Sequence, residues 1–354
     1  MKFAFLCKEK GSEGSGKVAI VGAGPAGLAA AGFLVCKGYD VEIYDKLPYP
    51  GGLMTFAIPS YRIRLETIME GVKDLENNFG VKFHLSTKVV CGKREDEGDE
   101  FVKEQVQLSD LVNEFDAVLI TTGTWQSRRM RIPGEDAEGV ETALEYLFKI
   151  RASEYGLMPE PPTPRRVVVV GGGLSAVDAA EVSLERGCDE VILMYRRSIQ
   201  QAPAGIYSIR RLIQKGVKWM ELANPTKIIT DDKGRVKAVE AIRMKLGEPD
   251  ASGRPRPIPI PGSEFVVETD AVIEAIGEYS TPPIGEGCSE LGIEVDRRGR
   301  IVVNENFRTS HPKVFAAGDV VTGPSKIGDA TLLGLRAARA VHMALARITP
   351  VIRA

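Results

Sequence analysis

The sequence predicts an α/β fold with two Rossmann-like domains, the second inserted into the first. Two observations predict the paired domains: apolar β-type runs end in glycine turns at Gly22-Ala-Gly24-Pro-Ala-Gly27 and at Gly171-Gly-Gly173-Leu-Ser-Ala176. A third observation predicts the insertion, because a further strand and helix follow the second domain near Gly318-Asp319. We expect both sheets to be parallel and covered by helices.

Both turns have the chemistry to bind a dinucleotide pyrophosphate. Glycine lets the backbone approach the anion closely, and the helix that follows offers free N–H groups. In the first unit the next strand ends at Asp45, 23 residues after Gly22. A carboxylate at that position binds ribose hydroxyls. We therefore expect Gly22, Gly24, Gly27 and Asp45 to bind FAD.

The second unit differs from the first at the end of the corresponding strand. Aligning the two strands places Tyr195 where Asp45 stands, and Arg196 and Arg197 follow. A carboxylate would repel a 2′-phosphate, whereas arginine can bind it bidentately. We therefore expect NADP(H) at Gly171, Gly173 and this arginine pair. A solvated strand end, with NAD(H) as cofactor, is the alternative.

The order of these motifs predicts the domain boundaries. Residues 1–126 and 308–354 form the FAD-binding domain, and residues 127–307 form the NAD(P)H-binding domain. Between the motifs, the acidic segment 94–100 is expected as a solvated hairpin tip and 255–261 as a proline-rich loop. A β-hairpin is expected over 227–244 and an alanine-rich helix near 329–346.

Composition excludes several function classes. The 354 residues carry a formal charge of −2, which gives no indication of nucleic-acid binding. The uncharged segment 18–36 is long enough to suggest a membrane span, but its glycine turn favours strand–turn–helix. The apolar run 3–6 is too short for a signal peptide.

Five scattered cysteines contain no C-x-x-C pair, so no redox dithiol, zinc site or iron–sulfur cradle is visible. Their odd number fits a reducing cytoplasm. Cys36 and Cys188, at the ends of the two first helices, are expected to be packing residues, and we predict no metal site. The three histidines, at 84, 311 and 342, are expected to be structural.

Longer segments identify a family resemblance. The first fingerprint, Pro50-Gly-Gly-Leu-Met-Thr-Phe-Ala-Ile-Pro59, the second fingerprint, Tyr195-Arg-Arg-Ser198 and Gly318-Asp-Val-Val-Thr-Gly323-Pro resemble the small subunit of NADPH-dependent glutamate synthase. That family lies within the pyridine nucleotide-disulfide oxidoreductase superfamily. Two features depart from it: the cysteine-rich amino-terminal extension is absent, and Leu174-Ser175 replaces a polar Asn-Thr or Asp-Thr.

The resemblance implies roles for further residues. Gly52, Leu53 and Met54 would lie along the ribityl and phosphate side of the flavin, and Asp319 would accept a ribityl hydroxyl. The helix beginning near Asp329 would direct its positive end at the flavin. Asp178 would either meet the nicotinamide or be a surface or capping residue. Other expected cofactor contacts are Pro25, Ala26, Lys46, Ile58, Arg62, Thr122, Gly123, Gly318, Leu174, Ser175, Ala176 and Gly277.

Hydride transfer from a nicotinamide to a flavin needs no protein acid or base, so we predict no catalytic residue. We expect an FAD-dependent NAD(P)H oxidoreductase that passes electrons to a glutamate-synthase-like large subunit or an iron–sulfur protein. A stand-alone ferredoxin, quinone or dye reductase and a non-enzymatic flavin-binding scaffold are the alternatives. The missing dithiol argues against a thioredoxin reductase, and the arginine pair argues against a scaffold.

Overall fold

The computed structural model describes residues 7–250 and 253–348 and separates the chain into two compact units. Unit 1 comprises Met1–Gln126 and Glu278–Ala354, and unit 2 comprises Ser127–Gly277. The chain returns to unit 1 at Glu278, whereas the sequence predicts the return at residue 308. The apolar run 3–6 lies outside the described residues.

The secondary structure follows the chain in three segments. The first contains β1 Lys17–Val21, α1 Pro25–Lys37, β2 Asp40–Tyr44, α2 Leu53–Phe56, α3 Leu65–Phe79, β3 Lys82–His84, β4 Thr87–Val90, β5 Glu104–Gln107, α4 Leu108–Glu114, β6 Ala117–Ile120 and β7 Gln126–Ser127. The second contains β8 Val140–Thr142, α5 Ala143–Glu154, β9 Arg166–Val170, α6 Leu174–Glu185, β10 Glu190–Tyr195, α7 Ile206–Gln214, β11 Lys218–Glu221, β12 Ala223–Thr230, β13 Val236–Pro249, β14 Pro255–Glu268 and β15 Ala271–Glu274. The third contains β16 Glu278–Tyr279, β17 Val314–Ala316, α8 Asp319–Thr322 and α9 Ile327–Ile348.

Each unit is built on a five-stranded parallel sheet, which confirms the predicted fold class. The order is β17-β6-β1-β2-β3 in unit 1 and β11-β10-β9-β15-β8 in unit 2. The central strands are buried on both faces, as residues 18–21 and 117–120 show. Near-continuous apolar strands of this kind are typical of parallel sheets covered by helices.

The late strand and helix complete unit 1, as the sequence predicted. Strand β17 pairs with β6 in parallel, and α9 packs on α1. Gly334 permits this packing, because a Cβ there would lie 2.1 Å from the carbonyl oxygen of Ala26.

The segment 278–307 belongs to unit 1 because its backbone is hydrogen-bonded to residues that follow strands β6 and β4. The N–H of Thr281 donates to Gly123 O at 3.0 Å, and the N–H of Gly285 donates to Cys91 O at 2.7 Å. No strand pattern in the sequence indicates these contacts, because the segment contains only one two-residue strand.

The expectation of a solvated hairpin tip at 94–100 was wrong. Strands β4 and β5, on either side of it, pair in parallel rather than antiparallel. The connection must therefore cross back over the strands, and a short 3-10 helix, Asp99–Phe101, forms within it. Parallel pairing requires such a crossover.

The expectation of a loop at 255–261 was also wrong, because these residues begin strand β14. This strand is at the edge of the three-stranded sheet β12-β13-β14. An edge strand tolerates proline because one side of its backbone needs no ladder hydrogen bond. The hairpin expected over 227–244 is confirmed as the antiparallel pair β12–β13.

Four of the five cysteines form disulfides, which corrects the reading of Cys36 as a packing residue. Cys7 bonds to Cys36 and Cys91 to Cys288, across 29 and 197 residues of sequence. These separations hid the pairing, because only the fold brings the partners together. Cys188 is a buried free cysteine. In the described part of the chain, no helix is long and apolar enough to cross a membrane.

Candidate dinucleotide sites

The first glycine turn has positions that exclude any side chain. Gly22 has φ +107°, and its Cβ would lie 2.5 Å from Thr121 O. A Cβ on Gly27 would lie 2.0 Å from Gly22 O. By contrast, a Cβ on Gly24 would meet nothing within 4 Å. The space in front of Gly24, where α1 begins at Pro25, is therefore open for a ligand.

Asp45 lies directly beside this turn. Its Oδ2 accepts the N–H of Ala23 at 2.6 Å, and its Oδ1 accepts the N–H of Leu47 at 2.8 Å. Burial raises the pKa of the Asp45 carboxyl, while the two backbone donors oppose that shift. A carboxylate offers about four acceptor sites, so Asp45 retains capacity for ribose hydroxyls.

Asp45 also lines a cavity at the carboxyl end of the sheet. Lys46 and Thr122, two other predicted contacts, line the same cavity. The full lining comprises Val21, Gly22, Tyr44, Asp45, Lys46, Thr87, Lys88, Val89, Asp96, Thr122, Trp125, Thr281 and Pro283. Sequence reasoning missed Lys88, Asp96, Trp125 and Thr281, because no glycine motif or strand-end pattern marks them.

The acidic segment supplies partners for the lysines of this cavity. Lys46 Nζ donates to Glu97 O at 2.5 Å and to Asp99 Oδ1 at 3.0 Å. It also lies 4.7 Å from the centre of the Trp125 ring. Burial lowers the pKa of Lys46, and the charge of Asp99 opposes this. Lys88 contacts the same carboxylate, so these acids are structural rather than solvated.

The loop before α2 packs against the first turn. The N–H of Gly51 donates to Ala23 O at 2.8 Å. A Cβ on Gly52, which has φ +56°, would lie 3.2 Å from Gly24 Cα. This contact places the start of α2, Leu53 and Met54, next to the open space at Gly24.

Ile58 and Arg62 follow this loop. The N–H of Ile58 donates to Leu53 O at 2.8 Å, and the N–H of Arg62 donates to Pro59 O at 2.9 Å. The Arg62 side chain is exposed. The structure thus ties Ile58 to the loop but leaves the cofactor role of both residues a prediction.

The last strand brings Gly318 and Asp319 to the same edge. A Cβ on Gly318, which has φ +76°, would lie 3.0 Å from the Cβ of Ala26. Burial raises the pKa of Asp319, whereas the hydroxyl of Ser325 donates to its Oδ1 and lowers it. Gly123, after β6, has φ +76°. The carboxyl ends of four adjacent strands therefore converge on one site.

The second turn repeats the geometry of the first. Gly171 has φ +154°, and its Cβ would lie 2.2 Å from Ala275 O. Its N–H donates to Met194 O at 2.9 Å, as that of Gly22 does to Tyr44 O at 2.8 Å. Tyr195 therefore corresponds to Asp45, and Arg196 corresponds to Lys46. A Cβ on Gly173 would meet nothing within 4 Å.

Tyr195 fills the place of the missing carboxylate. A Cβ on Gly172 would lie 2.6 Å from the Tyr195 ring. In the first unit the matching residue, Ala23, instead donates its N–H to Asp45. The Tyr195 hydroxyl donates to Gln201 O at 3.0 Å. The two units thus pair Ala with Asp and Gly with Tyr at equivalent positions.

The structure separates the two arginines that the sequence treated as a pair. Arg196 is exposed, whereas Arg197 is only 2% exposed. Arg197 binds Asp250 and the carbonyl of Pro255. Its predicted contact with a 2′-phosphate is therefore not supported, because its side chain points into protein rather than towards the ligand.

The remaining predicted residues of unit 2 surround the turn. Leu174 is 37% exposed and Ser175 half-buried at the start of α6, while Ala176 is fully buried. Gly277 has φ +107°, and its carbonyl accepts the N–H of Arg128 at 2.9 Å. Asp178 is 6% exposed, so the surface alternative for it was wrong.

The histidines lie outside both turns. His84 stacks on Tyr44 and contacts Glu42, and His342 contacts the hydroxyl of Tyr39. His311 lies in the turn before β17, where burial lowers its pKa. Among the described residues there is no group of three or more His, Cys, Asp or Glu suited to a metal ion.

Comparisons with known proteins agree with this geometry. The family described as pyridine nucleotide-disulphide oxidoreductase matches residues 16–336. The NADP(+)-dependent formate dehydrogenase subunit beta of Moorella thermoacetica is 40% identical over 331 residues, which are 93% of this chain and 44% of that protein. The glutamate synthase [NADPH] small chain of Escherichia coli K12 is 36% identical over 332 residues, 91% of this chain and 67% of that protein. The chain thus spans about half to two thirds of these relatives.

The structure of FprA, a Mycobacterium tuberculosis oxidoreductase, has the same fold. It superimposes with a TM-score of 0.76 at 20% identity, covering 94% of this chain and 85% of FprA.

Proposed function

Because the chain belongs to the pyridine nucleotide-disulphide oxidoreductase family, we propose that it is an FAD-dependent NADPH oxidoreductase that passes electrons to a partner protein. The observation that supports this most is the pair of equivalent glycine turns, of which only the first has a carboxylate beside it, since Tyr195 stands at the position of Asp45. Asp45 lies beside the first, and Arg196 follows the second at the position equivalent to Lys46.

The residues present fit both cofactors. The spaces in front of Gly24 and Gly173 are open, and each lies at a helix N-terminus. Free N–H groups there bind a pyrophosphate. Asp45 supplies the acceptor for FAD ribose, and Gly52, Gly318 and Asp319 supply further contacts on the flavin side. Arg196 supplies positive charge for a 2′-phosphate.

When bound, the nicotinamide supplies a hydride and the flavin accepts it and releases its electrons. The chain itself binds, orients and shields the cofactors, and no described side chain is needed to hold a reacting proton. We therefore assign no catalytic residue. The rate enhancement comes from holding the two cofactors in one reactive geometry.

The electron acceptor is a separate protein in this proposal. The names of the two relatives denote a small chain and a subunit, which supports a partner comparable to the glutamate synthase large subunit or an iron–sulfur protein. We keep a cytoplasmic location as a proposal. Four of the five cysteines form disulfides, so the cysteines do not indicate a reducing compartment.

Cofactor loading and reduction test the proposal. The purified chain is reconstituted with FAD, and its visible spectrum should show about one FAD per chain. Anaerobic stopped-flow mixing should show faster bleaching of the flavin by NADPH than by NADH, and a dye should then reoxidise it. Without a partner, glutamine and 2-oxoglutarate should give no glutamate, and iron should be absent. A chain that binds no flavin overturns the proposal, and equal rates with NADH overturn the NADPH assignment.

A further inference from the structure

Arg197 is a buried side chain with specific partners. Its Nη2 lies 2.6 Å from Asp250 Oδ2, and its Nε donates to Pro255 O at 2.8 Å. A buried charge is stable only when it is paired and hydrogen-bonded. Arg197 is therefore committed to contacts within the protein.

Both partners of Arg197 flank the turn between the long strands β13 and β14. Pro249 pairs with Pro255 at the end of this hairpin. Within the turn, the N–H of Asp250 donates to Arg254 O at 2.9 Å. The contacts of Arg197 thus hold Asp250 and Pro255 at the carboxyl end of β10, and the backbone hydrogen bond from Asp250 holds Arg254 beside them.

Arg196 lies beside this turn and is differently placed. It is exposed, and it forms no hydrogen bond or ion pair within the described part of the chain. Partial burial of its guanidinium lowers the pKa of Arg196, and the positive charges of Arg197 and Arg254 lower it further, against the opposing charge of Asp250. Arg196 therefore has two positively charged neighbours and no ion-pair partner of its own within the described residues, so a bound anion would be stabilised beside it.

We propose that Arg196 and Arg254 bind the 2′-phosphate of NADPH, and that Arg197 and Asp250 are positioning residues that hold Arg254 beside Arg196. The inference rests on the proposed function, because it concerns the NADPH site of that enzyme. In this proposal the phosphate-binding pair is not Arg196 with its neighbour Arg197. It is Arg196, directly after β10, with Arg254 of the hairpin, 58 residues further along the chain.

Binding of 2′,5′-ADP and 5′-ADP to the FAD-loaded chain isolates the phosphate contact from turnover. Arg254→Ala and Arg196→Ala should each weaken 2′,5′-ADP binding on the order of 10- to 100-fold, as expected for a lost charge-assisted hydrogen bond. Binding of 5′-ADP should change less than about twofold, because these residues meet only the 2′-phosphate. The matched control is Arg256→Ala, which removes the same charge from an exposed position two residues further along β14.

Asp250→Asn distinguishes positioning from bulk charge. Removing a negative charge strengthens anion binding if only the net charge matters. If Asp250 positions Arg254, the variant instead weakens 2′,5′-ADP binding. Combined with Arg254→Ala, it should then add little further loss, since both changes remove the same contact. Tighter or unchanged binding by Asp250→Asn overturns the positioning role.

The wild-type chain separates the two proposals. Equal affinity for 2′,5′-ADP and 5′-ADP in the wild type contradicts the NADPH function itself. A wild type that prefers 2′,5′-ADP, with Arg254→Ala unchanged, overturns only the role of Arg254. The flavin spectrum and thermal melting of each variant identify any that fail to fold. If Arg254→Ala fails to fold, Arg254→Lys and Arg254→Gln are compared instead. Only the cationic Arg254→Lys should retain the preference for 2′,5′-ADP.

Discussion

Gly24 and Gly173 are positions where an added Cβ would have open space in front of it. Neither has a positive φ, and a Cβ on either finds nothing within 4 Å. Their neighbours Gly22 and Gly171 are different, because a Cβ there collides with backbone. The fold therefore requires the first glycine of each turn, whereas in the proposed sites it is the ligand that requires the second.

We predict that Gly24→Val and Gly173→Val give folded proteins with complementary defects. Gly24→Val should lose FAD, because the side chain fills the space for the pyrophosphate. Gly173→Val should keep FAD and lose NADPH binding for the same reason. Flavin content and 2′,5′-ADP titration measure the two sites, and each variant is the control for the other. Loss of both ligands in either variant would show that the turns do not act separately.

At the strand ends, the sequence predicted the alignment of the two units correctly and the role of one arginine wrongly. The substitution of Tyr195 for Asp45 was predicted from apolar alternation, and the matching N–H contacts of Gly22 and Gly171 confirm the alignment. The same reasoning placed Arg197 with Arg196, because adjacent residues look equivalent in sequence. The partner that buries Arg197 comes from a hairpin 53 residues away, and no local pattern indicates it.

At the scale of elements, residues 91–93, directly after β4, and the segment 285–288 are held together next to the cavity of unit 1. The N–H of Lys93 donates to Glu286 O at 2.9 Å, and the N–H of Glu286 donates to Lys93 O at 3.0 Å. The disulfide between Cys91 and Cys288 closes the same contact. Thr87 and Pro283, which precede the two cysteines, line the cavity.

We predict that Cys91→Ser with Cys288→Ser lowers the free energy of unfolding by about 2–4 kcal/mol, because a long chain loop is then no longer closed in the unfolded state. FAD affinity should fall as well, since both segments line the cavity. Thermal melting with and without reductant measures the first effect. Cys188→Ser, at the free cysteine, is the control. The unreduced, unfolded wild type should show one reactive thiol, and five would contradict the pairing.

The two wrong predictions of secondary structure have the same physical cause. The acidic composition of segment 94–100 suggested a solvated loop. Its Asp99 instead pairs with Lys46, just after β2, and with Lys88 on β4. Prolines suggested a loop at 255–261, but an edge strand accepts them. In both cases the deciding partner is distant in sequence. Periodicity and turn chemistry report local structure, so they identified the Rossmann units and missed these contacts.

At the scale of the whole molecule, unit 2 is a single stretch of sequence with its own five-stranded sheet and core. Its buried apolar residues include Val168, Met194 and Val272 from three adjacent strands. Its two ends are adjacent, because the N–H of Arg128 donates to Gly277 O at 2.9 Å. An inserted domain needs adjacent ends, because the chain of unit 1 leaves at one end of the insert and resumes at the other.

We therefore predict that residues 127–277 fold alone and bind 2′,5′-ADP within about threefold of the affinity of the full chain, as expected of a domain with its own core. All the residues assigned to that site, including Arg196, Asp250 and Arg254, lie within the fragment. The complementary protein, with Gln126 joined to Glu278 by a short Gly-Ser linker, should bind FAD and not 2′,5′-ADP. Circular dichroism melting and calorimetry test both pieces. The Arg254→Ala fragment is the matched control, because it should fold equally well and bind the ligand weakly. A cooperative melt without 2′,5′-ADP binding would mean that the site needs residues of unit 1, and would contradict its assignment to unit 2 alone.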